Sequence, residues 1–252
     1  MKKCLIAGLL VAVSAAAFAD GEKAVSGKPR FSRTAGGLLV KPGTYTGKVA
    51  IIDTQSQVSF SVATQLVADL ERLTECRFAA EKAARDVPQK LMADHKADLA
   101  LVVIDDPKEP TMLLAPEDHW GVVNVARLTD DLPGQGAKAK FLPSRARKEY
   151  LRAISILMGG GSSQFPGNAM NAATVRELDQ MADQIPVDML DYYGRYLAKI
   201  GVKSKVLVPY RTACREGWAP QPTNDVQKSI WERVHAIPKA PMKIEFDPKK
   251  GR

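Results

Sequence analysis

The stretch RKEYLRAISILMGGGSSQFPGNAM, residues 147–170, decides the fold of this chain. Apolar side chains recur at helical spacing as far as Met158, and three glycines follow at once. Glycine has no Cβ and readily takes the left-handed conformation that commonly ends a helix. The stretch therefore predicts a helix over residues 145–158, capped by Ser144 and ended by a turn that leads to Met170.

The residues around this stretch predict an alternation of strands and helices. Residues 48–54 and 97–106 have the short apolar and β-branched runs of buried strands, and residues 57–74 have the apolar stripe of an amphipathic helix. Shorter candidates are strands at 76–80, 119–128 and 205–210, and helices at 87–96, 175–185, 187–200 and 225–237. This order indicates an α/β (α+β) fold, with a twisted mixed sheet packed on long helices.

The N-terminal sequence MKKCLIAGLLVAVSAAAFAD predicts a signal peptide over residues 1–19. Two lysines precede an apolar run, and Ala17-Phe18-Ala19 forms an A-x-A cleavage site. The run is too short and too rich in alanine for a membrane span, which needs about 20 apolar residues. We therefore expect an exported protein, periplasmic or extracellular, that is not transmembrane.

Composition limits the other functional classes. The formal net charge is +8, but the lysines and arginines are scattered, and neither a zinc finger nor an RNA-binding aromatic motif accompanies them. We therefore expect no nucleic-acid partner. Cys76 and Cys214 are the two cysteines that remain after processing, and they form either a disulfide or two buried thiols.

From Arg152 onward, the quoted stretch resembles the archaemetzincins, a branch of the metzincin zinc peptidases. Their pattern, H-E-x-x-H-x-x-G-x-x-H-C-x4-C-x-M-x17-C-x-x-C, can be laid on this chain without a gap. Gly159 matches the family glycine at the helix end, and Met170 matches the methionine under the metal site. The pair Lys148-Glu149 and the run GVVNVARL, residues 121–128, also look like the family's approach to this helix.

The resemblance implies a division of the chain into a domain and two extensions. The metzincin-like domain covers residues 47–200. An N-terminal extension covers residues 20–46, and a C-terminal extension that packs on the domain covers residues 201–252.

The residues that would perform the peptidase chemistry are missing from the matching positions. In the family, three histidines bind zinc, and a glutamate beside the first takes a proton from zinc-bound water. The histidine positions fall on Arg152, Ile156 and Ser162, and the glutamate position falls on Ala153. Arginine and isoleucine offer a metal no lone pair, and alanine cannot accept a proton. The resemblance thus implies the fold but argues against catalytic residues and against a zinc cofactor.

The family's second zinc site is altered as well. Its four cysteine positions fall on Ser163, Asn168, Asp188 and Asp191. If these side chains converge, their oxygen atoms would suit calcium or magnesium rather than zinc. The alternative is that the two aspartates cap or solvate the following helix, where negative charge near the first turn is favourable.

Other residue types offer little chemistry. His95, His119 and His235 do not lie at metal-ligand spacing, and a cation at Glu117–His119 would need a third ligand from elsewhere. The serines after the glycines do not form a G-x-S-x-G elbow.

We therefore expect a pseudopeptidase that binds a peptide, a glycan or a protein through the remnant cleft. Arg152 would either hold a ligand carboxylate by paired hydrogen bonds or form an internal salt bridge. Two alternatives stay open from the sequence: a divergent metallopeptidase or other hydrolase with unidentified ligands, and a structural or assembly protein of the cell envelope.

Overall fold

The computed structural model describes residues 34–54 and 56–236 of the 252-residue chain. The predicted signal peptide and residues 20–33 of the predicted N-terminal extension lie outside the described residues, as do residues 237–252. Within the described part, no helix is long and apolar enough to cross a membrane.

Two sheets contain the strands of the described part. The strands are β1 (Leu38–Val40), β2 (Val49–Asp53), β3 (Phe78–Lys82), β4 (Leu99–Ile104), β5 (Met112–Ala115), β6 (Trp120–Asn124) and β7 (Leu207–Pro209). The central sheet has the order β3-β2-β4-β6-β5, in which only β5, at one edge, is antiparallel to its neighbour. All residues of β2 and β4 are buried, as expected for apolar parallel strands covered on both faces. The predicted mixed α/β fold class is confirmed.

Helices cover the two faces of the central sheet unequally. The helices are α1 (Phe60–Thr74), α2 (Pro88–Asp94), α3 (Gly134–Leu157), α4 (Leu190–Lys199), α5 (Tyr210–Glu216) and α6 (Asp225–His235). Apolar side chains of α1, α3 and α4 join those of β2, β4 and β6 in the main core on one face. On the other face, α2 inserts Leu91 against Ile52 and Val102 in a smaller cluster.

Helix α3 is longer than the sequence predicted. It begins at Gly134 instead of residue 145, so Ser144 lies inside the helix and does not cap it. Pro143 interrupts the sequence pattern, because a proline inside a helix removes one hydrogen bond and its ring clashes with the carbonyl of the preceding turn. The helix nevertheless continues through Pro143. Leu142 is buried in the main core, next to the exposed Pro143. The packing of Leu142 holds this turn of the helix in place. The 24 residues of α3 span about 36 Å.

The helix predicted over residues 175–185 is not formed. Only Arg176–Gln180 is helical, as a short 3-10 turn that buries Leu178. Ala182 instead pairs with the turn after α3, where its N–H donates to Gly167 O and its carbonyl accepts from Ala169 N. These bonds require an extended backbone at Ala182, so apolar spacing alone gave the wrong secondary structure. Strand β5 was not predicted, and the strand predicted over residues 119–128 ends at Asn124.

The C-terminal elements pack together beside the main core. β1 pairs antiparallel with β7. Tyr210 and Cys214 of α5 pack with Ile230 of α6 in a buried apolar cluster. Cys76 lies in the main core, in a different cluster from Cys214, and both are free and buried. The candidate disulfide is therefore not formed, and the buried thiols are the outcome.

Arg145 is the most deeply buried charged side chain of α3. Its guanidinium, which is 1 % exposed, donates to both carboxylate oxygens of Asp179 at 2.8 and 2.6 Å and to Asp131 at 2.5 and 3.1 Å. It also donates to the carbonyl of Leu128 at 2.7 Å. Hydrogen bonding to Arg145 holds the pKa of Asp131 below its ordinary value. This network holds α3, at the point where the helix enters the core, against the segments that contain Leu128, Asp131 and Asp179.

Replacement of Arg145 by methionine should lower the free energy of unfolding by about 3 kcal/mol at neutral pH, because it leaves two carboxylates without their cation. Arg72→Met is the matched control: the Arg72 side chain is 70 % exposed, so its loss should cost less than about 0.5 kcal/mol. Urea unfolding of both variants measures the difference. Equal effects would contradict the role of the network.

The same network predicts an acid dependence. Because the folded-state pKa of Asp131 is lowered, its stabilisation is present above the ordinary pKa of 3.8 and is lost as the pH falls through the folded-state value. The stability difference between the wild type and Arg145→Met should therefore shrink below about pH 4. Urea titrations between pH 3 and 7 test this, and a constant difference would contradict it.

Candidate functional site

The end of α3 has the geometry that the sequence predicted. Gly159 has φ +78°, in the left-handed region, and directs the chain away from the helix. A Cβ on Gly160 would lie 2.8 Å from the carbonyl oxygen of Ser155, so no other residue fits there. Tyr193 of α4 donates to Ser155 Oγ at 2.7 Å, and burial raises the Tyr193 pKa to about 12. The neutral phenol therefore fastens α4 to the last turns of α3.

Arg152 forms an internal salt bridge. Its Nη1 donates to Glu149 Oε2 at 2.7 Å, one turn earlier on α3. The Glu149 side chain is 3 % exposed and that of Arg152 is 19 % exposed. Burial raises the pKa of Glu149 above its ordinary value, and the nearby Arg152 charge offsets part of this rise. Of the two roles left open for Arg152, the salt bridge is the one that the structure shows.

The other remnant zinc-site positions have packing or surface roles. Ala153 is fully buried in the main core, and Ile156, one turn beyond Arg152 on the same helix, is partly buried. Ser162 is exposed after the glycines, and Met170 is buried under the turn. The side chains at these positions supply apolar contacts and one hydroxyl, none of which is a nitrogen ligand or a general base.

The remnant second-site positions come together only in part. Asp188 accepts hydrogen bonds from Ser163 Oγ at 3.2 Å and from Gln164 N at 2.8 Å. The Asn168 side chain bonds to backbone groups of the turn: its Oδ1 accepts from Met170 N, and its Nδ2 donates to the carbonyl of Gln184. No hydrogen bond among the described residues joins the exposed Asp191 carboxylate to this group. Calcium or magnesium binding here stays a prediction.

The three histidines have local partners. His95 Nδ1 lies 2.7 Å from Glu81 Oε2, His119 Nδ1 lies 2.8 Å from the Tyr196 hydroxyl, and His235 stacks on a neighbouring tryptophan. In residues 34–54 and 56–236, no three His, Cys, Asp or Glu side chains are grouped as metal ligands.

Sequence reasoning missed two features, of which the first had a signal in the sequence and the second had none. Glu149 is the counterion of Arg152, and its position one turn earlier on the helix was a usable signal for the salt bridge. A pocket of about 400 Å³ lies on the opposite face of the central sheet from α3. Its lining comes from four separate segments, so it has no continuous sequence motif.

The comparisons with known proteins concern the fold. No protein-family model matches the chain, and no curated protein does. An archaemetzincin from Methanopyrus kandleri is similar in structure, with 16% identity, a TM-score of 0.44, and coverage of 64% of this chain and 99% of that chain. A zinc-dependent peptidase from Methanocorpusculum labreanum has 14% identity, a TM-score of 0.44, and coverage of 58% and 100%. An archaemetzincin from Archaeoglobus fulgidus has 16% identity, a TM-score of 0.38, and coverage of 57% and 99%.

The buried salt bridge predicts the stability of two variants. Arg152→Met should lower the free energy of unfolding by about 3 kcal/mol at pH 7.5, because it leaves the buried Glu149 carboxylate unpaired. Glu149→Gln combined with Arg152→Met should recover most of that loss, since a neutral amide needs no counterion. Urea unfolding of the two single variants and the double variant gives the coupling between the side chains.

The pH dependence gives a further readout of the same pair. The folded-state pKa of Glu149 is raised, so stability is fully present below the ordinary value of 4.5 and is lost as the pH rises through the folded-state value. Glu149→Gln should lack this loss. A double variant as unstable as Arg152→Met, or identical pH profiles for the wild type and Glu149→Gln, would contradict the assignment.

Proposed function

We propose that this chain is an exported, non-catalytic protein with an archaemetzincin-like fold, and that it binds an extended peptide beside the remnant cleft. Residues 47–200 form the metzincin-like domain in this proposal, flanked by extensions at 20–46 and 201–252. Export rests on the predicted signal peptide. The binding role rests on the geometry of α3 and β5.

The proposal that the protein is non-catalytic rests on the salt bridge of Arg152 with Glu149. A zinc ligand must present a lone pair to an open cleft. At this position the chain instead has a cation paired with the buried Glu149, and the next residue, Ala153, is fully buried. Neither side chain can hold zinc or take a proton from bound water, so these two positions cannot perform the family's hydrolytic step.

The observation that favours a peptide is the outer edge of β5, on which no strand pairs within residues 34–54 and 56–236. Asn124 N of β6 donates to Thr111 O, and hydrogen-bonded residues alternate along an antiparallel pair. Met112 and Leu114 therefore direct their backbone N–H and C=O groups to the free edge. An extended peptide can add a strand to such an edge through backbone hydrogen bonds.

The edge lies next to the end of α3. Leu114 and Leu157 both pack over Gly121, where a Cβ would lie 2.6 Å from Leu114 Cδ2 and 3.0 Å from Leu157 Cδ1. Beyond β5, the Tyr196 hydroxyl donates to the carbonyl of Pro116. A peptide added to β5 would thus run along the sheet edge beside the last turn of α3.

The proposal that the protein does not bind catalytic zinc is tested by introducing the family's zinc ligands at the matching positions. The wild-type protein, residues 20–252 purified without chelator, should contain less than about 0.1 zinc per chain because the site lacks nitrogen ligands. The variant Arg152→His, Ile156→His, Ser162→His should bind about one zinc and melt at a higher temperature when zinc is added. Elemental analysis and thermal melts measure both.

The control is the same variant with Ser162 unchanged, which lacks the third ligand and should bind zinc more weakly. Stoichiometric zinc in the wild type, with a raised melting temperature, would overturn the proposal and favour a divergent metallopeptidase. A folded triple variant without zinc would show that the three positions do not converge.

Strand addition at β5 is tested with a displayed library of random dodecapeptides selected on the wild-type protein. Met112→Pro removes a backbone N–H at the free edge and leaves the pairing with β6, so it should weaken binding of the selected peptides at least about tenfold. Leu113→Ala keeps the edge N–H groups and should bind as the wild type does. Equal binding to all three proteins would exclude β5 as the site.

A further inference from the structure

The face of the central sheet opposite α3 is only partly covered. Helix α2 packs over β2 and β4, and beside it a pocket of about 400 Å³ extends across β4, β6 and β5. Its floor consists of strand side chains on this face, Val102, Ile104, Trp120 and Val122, and Leu113 of β5 lies at its solvent side. This volume and an apolar floor are typical of small-molecule sites.

The pocket lies near the carboxyl ends of the parallel strands. One wall, residues 85–88, follows β3, and the other, residues 109–110, follows β4. These two segments form opposite walls over the strands of the floor, which belong to the β4, β6 and β5 side of the sheet.

The charges at the rim are compensated within the protein. Arg85 donates to Asp106 at 2.6 Å and lies 3.9 Å from Glu109, and Asp86 is paired with Lys90. The rim therefore presents ion pairs rather than an unpaired charge that would recognise an ionic group. A charged ligand entering the pocket would lose hydration without gaining a counterion.

The mouth of the pocket is accessible. Val87 at the start of α2 is 58% exposed, and Leu113 of β5 is 53% exposed. These side chains lie at the solvent side of the pocket, whereas Val102 and Ile104 on the floor are buried. An apolar molecule entering between them would remove apolar surface from water on both sides, which is the main source of affinity in such sites.

We propose that this pocket binds an uncharged, largely apolar small molecule. The site shares Leu113 with β5, and it lies on the sheet face opposite the one against which α3 packs. Neither proposal needs the other to hold.

A pair of fluorescent probes with the same ring frame tests the proposal. N-phenyl-1-naphthylamine is uncharged, and its 8-sulfonate derivative, 8-anilino-1-naphthalenesulfonate, carries one negative charge. The wild-type protein, residues 20–252, should bind the uncharged probe at one site per chain, with a blue shift and increased emission. The anionic probe should bind at least about tenfold more weakly, because the pocket offers its sulfonate no unpaired cation.

Two variants locate the binding site. Val122→Phe fills the floor and should weaken the uncharged probe at least about tenfold. Val87→Asp places a charge at the mouth and should also weaken it, while the fold is retained because aspartate is favoured at the N-cap position that Val87 occupies. Val187→Asp is the matched control: Val187 is 69% exposed, lies outside the pocket, and should leave binding unchanged.

The contrary outcomes are distinct. Equal affinity of the wild type, Val122→Phe and Val87→Asp would overturn the assignment of the pocket. Tighter binding of the anionic probe would overturn the uncharged ligand class. Probe binding that requires removal of residues 237–252 would identify that segment as the occupant, and a wild-type dimer that Val87→Asp dissociates would identify a second copy of the chain. Either result would overturn the proposal.

Discussion

The charged side chains that α3 carries into the protein interior constrain the rest of the structure. A buried charge needs a partner, because an unpaired one loses its hydration without compensation. Four charged residues between positions 145 and 149 of α3 have such partners. Arg145 pairs with Asp131 and Asp179, and Arg147 pairs with Asp69 and Asp183. Lys148 donates to the carbonyl of Leu178, and Glu149 pairs with Arg152. These partners hold α1 and the segment after Met170 against the helix.

This constraint explains which elements could be predicted from the sequence. β2, β4 and α1 follow from local patterns, because their apolar spacing already specifies which side faces the core. The segment over residues 175–185 has helical spacing too, but Asp179 and Asp183 in it bind arginines of α3 that lie more than thirty residues earlier. Such distant partners override local propensity, and a single sequence does not reveal them.

The candidate site shows the same limit at the level of one residue. The sequence placed Arg152 where the family has a zinc ligand, but it left ligand binding and an internal salt bridge open. The burial of Glu149 decides between these two roles, because its side chain is 3 % exposed and would be unpaired without Arg152. Helical spacing predicted that the two residues are neighbours on α3, but it did not give their burial. The pocket on the other sheet face was unpredictable for a related reason, since its lining converges only in the folded chain.

The features that match the family pattern and those that depart from it have different physical roles. Gly159, which matches the family glycine, has a left-handed backbone, and Gly160, which the pattern leaves unspecified, has no room for a Cβ beside Ser155. These backbone requirements come from the end of α3 and hold with or without a metal. A histidine or glutamate at positions 152 and 153, by contrast, is needed only for zinc chemistry. The backbone at the end of α3 therefore does not depend on zinc-binding side chains at these positions, where the helix instead carries the Arg152–Glu149 ion pair.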